Sequence, residues 1–586
     1  MNPITLSVVR GRLERIADEM DATLFRSAFN PIIAEAHDAS HGMYDAETGA
    51  TLIQGKTGLP IFVGAMAFAV KAVIDRVRAG VTLNEGDVFF FNDPYEGATH
   101  LNDFKLVKPI FREGELFCFL ASVGHWHDVG GNVPGNYNPA ATESFQEGFR
   151  VPPVKLYSSG ALNRDIVEII LANTRLPQSC FGDLNGQINA LDLGQARLND
   201  LLDEYGTSTI REVLTELQTR SAQLMRSYIQ KLPNGVWSAH DVLDHDGHQD
   251  QSLHLNLTLT IEGDEMTLDF DGSSPACLGP LNISYATTIA GCYVALKHLF
   301  VDVPANAGCL EPIQFKVPEG SILHALPPRP VGGYTETVLR VIDVIFAALA
   351  QVDPTLSNGA AYGTINALSL AGHRQSGQRW VMFSFFGGGL GGNPEGDGLN
   401  HGNAPISTAT IPPLEILEAA YPIKFTRWGL RQDSGGPGRH RGGLGAEYEL
   451  KLLEESADLF FFGERGLSAP PGVCGGQEAA RNEFYYDKDG ARIQPPLVSK
   501  VRGDHIRRGD RVCIYSPGGG GYGPPLERDP QAVARDVRLG YVSREHALEA
   551  YGVCLTEGGE VDADATRRQR QISSTPSSAA QSGGES

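Results

Sequence analysis

Two stretches of the chain concentrate side chains able to bind a metal. Residues 92–103 read NDPYEGATHLND and residues 124–128 read GHWHD, so a His-x-x-Asp pair occurs at His100 and Asp103 and again at His125 and Asp128. Imidazole and carboxylate together suit Zn, Mn or Fe, and a protein shell that leaves a coordination position open is the pattern of a catalytic rather than a structural site. A single His-x-x-Asp has a plain structural reading, with a loop-capping aspartate and a solvent-facing histidine. Two copies become specific if the fold brings them together. Between them lie FKLVKPIF (104–111) and LFCFLASV (116–123), apolar runs joined by a polar turn, which predict a β-hairpin. Paired residue numbers in such a hairpin sum to about 227, placing Asp103 opposite residue 124 and His100 opposite residue 127. His127 lies beside this cluster; of His125 and His127, His125 is taken as the candidate ligand.

Upstream, EAHDASHGMYD (35–45) offers Glu35, His37, Asp38, His41 and Asp45 as further donors, and spacing does not choose among them. Downstream, ATESFQEGFRVPP carries Glu143 and Glu147. A carboxylate desolvated in a cleft can serve as acid or base near neutral pH, which makes Glu147 the candidate catalytic group, although a turn-capping role accounts for it as well. Arg150 is a candidate substrate contact. GATLIQGKT (49–57) misses the phosphate-binding loop by one residue too many between its glycines, so Gly55-Lys56-Thr57 reads as a turn. No GxSxG elbow occurs. Any ATP is therefore expected on a partner chain.

The elements that must carry these residues follow from periodicity. Leu6, Val9, Leu13, Ile16, Met20 and Leu24 predict an amphipathic opening helix. Residues 50–160 read as strands, 164–232 as helices, and LHLNLTLTIEGDEMTLDFDG (253–272) as a hairpin turning at Gly263-Asp264. From there to about 525 the chain reads as strand-rich, with glycine clusters at 386–392, 433–443 and 516–523 taken as tight turns rather than anion nests. The expected fold is multidomain α+β with mixed and antiparallel sheets: a metal-site domain over 1–245, strand-rich and glycine-rich domains over 246–555, and an unstructured tail over 556–586 whose end, QISSTPSSAAQSGGES, is nearly without apolar residues.

Composition narrows the function. A net charge of -22 argues against a nucleic-acid partner, which needs a basic footprint. Eight cysteines without a CxxC pair disfavour a zinc ribbon or a disulfide framework and fit a reducing, cytoplasmic setting. The N-terminus lacks the apolar core of a signal peptide and no run is long enough to span a bilayer, so neither secretion nor membrane insertion is expected.

NPITLSVVRGRLERIADEM, NDPYEGATHLNDF, GHWHDVGGNVPG, TESFQEGFRVPPVKL, ANTRLPQSCFGDLNGQ, DFDGSS, DSGGPGRHRGGLG and SPGGGGYGPPLERDPQAVARDVRLGYVS, in that order, resemble the hydantoinase B family. That family includes the second half of 5-oxoprolinases and subunits of N-methylhydantoinase, caprolactamase, acetone carboxylase and acetophenone carboxylase. The resemblance implies a hydantoinase A-type ATPase partner, with room for further small subunits, that binds ATP-Mg and phosphorylates a carbonyl oxygen or bicarbonate. It also implies a metal held here by Asp38, His100, Asp103 and His125, with Asp128 beside them. The chain departs from the family around Ala36-His37-Asp38 and Pro60-Ile61-Phe62, where a basic residue and a histidine are usual. An apolar substituent near the metal suits that change. The expected function is carboxylation of an apolar or aromatic ketone, with ATP-dependent hydrolysis of a cyclic amide as the alternative and a non-catalytic scaffold as the third reading.

Overall fold

The computed structural model describes residues 2–407 and 409–573. Helix α1 (Pro3–Ser27) is capped by Asn2 and buries Leu6, Val9, Leu13, Ile16, Met20 and Leu24, as its spacing predicts. A short turn, α2 (Pro31–Ala34), leads into a seven-stranded sheet built from β1 (Ala39–Asp45), β2 (Thr51–Gln54), β3 (Val88–Phe91), β4 (Asp103–Arg112), β5 (Glu115–His125), β6 (Val154–Ser158) and β7 (Ala161–Leu162). Its order is β2-β1-β5-β4-β3-β6-β7. Phe104, Leu106 and Ile110 of β4 pack on one face with α1 and with α5 (Pro177–Tyr205), which lies between α4 (Arg164–Ala172) and α6 (Thr207–Ile229). Val107 points to the other face, onto α3 (Pro60–Arg78).

The stretch 60–78 was expected to be extended, and α3 corrects that. The helix packs against the sheet on one side and, through Gly64, against the backbone of Ala290 on the other. Ile61, Phe62, Val63, Ala65, Met66, Ala69, Val70, Val73 and Ile74 are therefore all buried. Burial on more than one side erases the polar stripe that marks a surface helix. The same cause hid α7 (Tyr285–Leu299) inside the region expected to be strands, whereas α8 (Tyr334–Val352), buried without interruption from Tyr334 to Phe346, keeps a polar stripe at Glu336, Arg340 and Asp343.

A second sheet, β11-β10-β9-β8, holds β8 (Gly235–Leu243), β9 (Leu253–Glu262), β10 (Glu265–Asp269) and β11 (Ile313–Lys316). The β9-β10 hairpin turns at Gly263-Asp264, as expected. Position 245 lies in the connection between β8 and β9, which pair from Gly235–Ile261 to Leu243–Leu253, so one sheet spans the expected boundary. The third and fourth sheets, β13-β12-β16-β19 and β14-β15-β20-β17-β18, share a core that includes Leu370, Met382, Tyr448, Leu459, Phe461 and Ile514. Their strands are β12 (Ala367–His373), β13 (Arg379–Ser384), β14 (Ile423–Leu430), β15 (Ala446–Leu452), β16 (Ser456–Phe462), β17 (Glu483–Lys488), β18 (Ala491–Ile493), β19 (Lys500–Arg507) and β20 (Arg511–Tyr515), with α9 (Leu414–Ala420) before β14.

The glycine clusters are not turns. Residues 517–521 run through the middle of the other glycine segments and bond to them sideways: Gly389 N–H donates to Pro517 O, Gly519 N–H to Gly443 O, Gly520 N–H to Ala360 O and Gly521 N–H to Gln477 O. Backbone packs on backbone with no room for a side chain. A Cβ at Gly442 would sit 1.7 Å from the carbonyl oxygen of Gly519, and one at Gly519 would sit 2.1 Å from that of Leu390. The residues are glycine for close approach.

Beyond β20 come α10 (Pro530–Arg538), α11 (Arg544–Glu549) and α12 (Ala563–Ser573). The last corrects the expectation of an unstructured tail over 556–573. Polar contacts dock it, with Arg570 donating to the carbonyls of Tyr551 and Arg528, and hydropathy does not register such contacts. Residues 574–586 lie outside the described residues. Among the described residues no helix is long and apolar enough to cross a membrane.

Gly519→Ala should lower the melting temperature sharply, because overpacking of this kind costs about 1–3 kcal/mol or more. Gly11→Ala, on α1 where a Cβ meets nothing within 4 Å, should be neutral or stabilise by about 0.5–1 kcal/mol. Circular dichroism melts of the two variants check the opposite signs.

Candidate metal centre

The centre forms where β4 begins and β5 ends. Asp103 pairs directly with His125, not with residue 124, because a bulge between Ile110 and Phe111 leaves Phe117 of β5 unpaired and shifts the register by one. That slip puts Asp103 and His125 on one face. His100 reaches them from the turn before β4: its Nδ1 lies 2.8 Å from Asp103 Oδ2, which also accepts from the Thr99 hydroxyl. His125 Nδ1 is 3.4 Å from Asp103 Oδ1 and 3.9 Å from Asp38 Oδ2. Asp38 enters just before β1, where the His125 N–H donates to its carbonyl at 3.1 Å.

His100, Asp103 and His125 each bring one donor atom within 4.8 Å of the others, and all three are buried. Several atoms here are buried without a hydrogen-bond partner: His100 Nε2, His125 Nε2, Asp103 Oδ1 and Asp38 Oδ1. An unsatisfied buried polar atom costs about 1–3 kcal/mol, so a cluster of them calls for a ligand. Imidazole nitrogen and carboxylate oxygen together fit a divalent Zn, Mn or Fe ion.

The two carboxylates differ. Burial pushes Asp38 up to about 7, against the opposing charge of His125. Burial acts on Asp103 too, but His100, His125 and the Lys105 ammonium hold it well below the usual carboxylate range, making it the anionic member. Lys105 is itself buried, donates to the Asp103 carbonyl at 3.1 Å, and is pushed down to about 8 by desolvation.

Asp128 does not join them. Its Oδ1 accepts from the backbone amides of Gly130 and Arg175, and its Oδ2 pairs with Arg175 Nη1 at 3.0 Å, so it anchors the loop after β5. His127 is not among the clustered donors and packs edge-on to Tyr421. Glu147 accepts the amides of Val331 at 2.9 Å and Gly332 at 2.6 Å. Both oxygens are thus spent on the backbone that leads into α8, and burial pushes the group up to about 8. Arg150 lies over the rings of Tyr95 and Phe145, and Glu143 caps a short turn. His37 stacks on Phe25, and Asp45 accepts from the Thr48 amide in the turn after β1. Lys56 pairs with Glu14 and its amide donates to Asp18, acidic surroundings unsuited to phosphate.

His41 forms part of a buried relay. Its Nδ1 is 2.7 Å from Asp21 and its Nε2 2.9 Å from Ser122 Oγ, the order of a hydrolase triad. All three residues are fully buried. Gln187 Nε2 donates to Ser122 Oγ and to the Phe104 carbonyl, and Trp126 Nε1 donates to Gln187 Oε1. The relay therefore braces the strand ends that carry Asp103 and His125.

Sequence reasoning missed the walls. Tyr334 lies 4.8 Å from His100, and Phe383 stacks on His125 at 5.5 Å and on Tyr137 at 4.9 Å. With Phe385, Ile365 and Ile406 they close a cavity of about 30 Å³ beside Asp38 and His125, enough for about one water. They arrive from segments remote in sequence, and a run such as FSFF reads only as core. A wider surface cleft of about 650 Å³, lined by Phe68, Tyr285 and His324, contains none of the clustered donors.

The family model for hydantoinase B/oxoprolinase matches residues 2–525. The β subunit of caprolactamase from Pseudomonas jessenii is 33% identical over 97% of this chain and 99% of its own. The crystal structure of that ATP-dependent enzyme superposes with a TM-score of 0.89 at 31% identity, covering 97% of this chain and 100% of that one. A 5-oxoprolinase of Arabidopsis thaliana is 30% identical over 89% of this chain, which spans 42% of its length. A nucleotide-free structure of acetone carboxylase shares the fold, with a TM-score of 0.90 at 23% identity over 98% of this chain and 83% of that one.

Mass spectrometry of the purified chain should find a single tightly held divalent ion, lost in His125→Ala and in Asp38→Ala. Asp128→Asn should keep the metal but lose roughly 1–3 kcal/mol of stability, since it strips a charged partner from Arg175. A wild-type chain that stays metal-free after reconstitution at neutral pH would remove the centre.

Proposed function

The chain belongs to the hydantoinase B/oxoprolinase family, and from that premise we propose that it is the metal-binding subunit of a heteromeric, ATP-dependent enzyme that carboxylates an apolar or aromatic ketone. The observation that carries the reading is the meeting of orphaned metal donors with an aromatic wall. His100, Asp103, His125 and Asp38 would hold the ion, Zn, Mn or Fe, and when bound it supplies Lewis-acid polarisation of a carbonyl oxygen.

The chain's own residues do the rest. Thr99 and His100 orient the Asp103 carboxylate, as outer hydrogen bonds orient metal ligands generally. Phe383, Tyr137 and Tyr334 exclude water and lower the local dielectric, which strengthens every electrostatic contact inside. A cavity of about 30 Å³ has room for about one water, so a ketone enters only once its lining gives way. Phosphorylation of the carbonyl or of bicarbonate falls to a hydantoinase A-type ATPase partner. The acidic surroundings of Gly55-Lys56-Thr57 support that division of labour.

Full-length similarity to a caprolactamase subunit favours a second reading, ATP-driven opening of a cyclic amide. Labelled bicarbonate separates the two in the complex assembled with its ATPase partner. Label in a carboxylated product, dependent on ATP, supports the ketone reading; a ring-opened amino acid without label selects the lactam. Full activity in the double variant His100→Ala, His125→Ala would leave this chain a scaffold.

A further inference from the structure

A carbonyl reaction needs a group to take up and return a proton, and most carboxylates near the centre are committed. Asp38 and Asp103 belong to the donor set, Asp128 is paired with Arg175, and both oxygens of Glu147 hold backbone amides. Glu336, in the first turn of α8, is placed differently. It is fully buried. Its Oε1 accepts from the Ile365 amide at 3.1 Å and lies 3.5 Å from Thr335 Oγ1, while Oε2 has no partner. Thr335 itself lines the cavity beside Asp38 and His125, together with Tyr137 and Ile365. A chain of exchangeable protons thus runs from the cavity to a carboxyl with an unused oxygen.

We propose that Glu336 is the proton store of this centre, exchanging one proton with the cavity through the hydroxyl of Thr335. The inference rests on the carbonyl reading above. The proton leaving the substrate's α-carbon passes to the Thr335 oxygen as the threonine proton moves to Glu336. The C–H electron pair becomes the enolate double bond, with negative charge on the carbonyl oxygen. For a lactam the same relay takes the proton of the attacking water. The charged and titratable groups around Glu336 are Arg340 on α8, Glu464 with its partner Lys500, Tyr137 and Tyr362. Burial, reinforced by Glu464 and opposed by the Ile365 amide and Arg340, pushes the carboxyl up to about 7, so it can change state near neutral pH.

A carboxyl of this kind accepts a proton only above its own pKa, so turnover should rise as pH increases through about 7. In the complex assembled with its ATPase partner, Glu336→Gln should lose about 100-fold in turnover along with that limb of the pH profile, as for removal of a general base. Metal content and melting temperature should stay at wild-type values. Thr335→Val should slow turnover and retain the titrating carboxyl. Infrared difference spectra of wild type minus Glu336→Gln need no substrate and should show a protonated-carboxyl band that fades as pH rises through neutrality. An unchanged pH limb in Glu336→Gln, or no such band in the wild type, overturns the assignment. A wild-type complex that turns over no ketone or lactam instead overturns the functional reading, and the proton store with it.

Discussion

Everything around the metal centre depends on a buried ionic crossing between distant parts of the chain. Arg465, fully buried, binds Asp241 of β8 at 2.5 Å and Asp343 of α8 at 2.9 Å. Arg340, also on α8 and fully buried, donates to the carbonyls of Val242 and Gly363, and its Nη2 lies 3.6 Å from Glu464, which pairs with Lys500 of β19. Asp244 gathers the amides of Gly466, Leu467 and Ser468. Asp241 is held below the usual carboxylate range, mainly because two guanidiniums outweigh its burial. Removing one partner from such a network leaves an uncompensated buried charge, a far larger loss than the network's net contribution. The crossing is thus all-or-none, and it locks α8, β8 and the segment after β16 together.

That lock matters because the site is composite. The donors sit at the ends of strands of the first sheet, whereas most of the walls come from the later half of the chain, from α8, β13 and the loops that hold Ile365, Phe385 and Ile406. Glu147 links the halves, reaching from the first half of the chain to the amides just before α8 and so placing Tyr334 against His100. The Asp21–His41–Ser122–Gln187 relay does the corresponding work beneath the donors. Burial made by closing the halves pushes both site carboxylates up, and only Asp103 is pulled back down, by His100, His125 and Lys105.

What could be read from the sequence was whatever has a local period or a distinctive chemistry. The α1 stripe, the β4-β5 hairpin, the β9-β10 turn and the pairing of His100 and Asp103 with His125 are of that kind. The register was off by one because a bulge at Phe117 has no signature in an apolar strand, and in a sheet one residue decides the face. Helices α3 and α7 were hidden because extensive burial leaves little polar stripe to read, whereas α8 carries one at Glu336, Arg340 and Asp343 inside a stretch read as strands. The glycine segments misled for a related reason: glycine marks sharp turns and close backbone approach alike, and only the tertiary packing tells which. Phe383 and Tyr334 could not be assigned to the site because a wall residue differs from a core residue only in what lies opposite.

The cavity also bears on the choice between the two reactions. Hydrolysis requires a water held beside an activated carbonyl, and polar groups must hold it. Carboxylation requires an enolate kept from water until it meets carbon dioxide, so the wall must be apolar. Apart from Asp38 and His125 the lining is dominated by Phe383, Phe385, Tyr137, Tyr334 and aliphatic side chains, and the polar exceptions include Thr335, the link to Glu336. With Thr335, Asn403 and Ser407 as the polar exceptions, a mostly apolar lining is the environment that would keep an enolate from water. The preference for the ketone thus rests on dielectric and proton access at the centre, while the lactam reading rests on overall similarity.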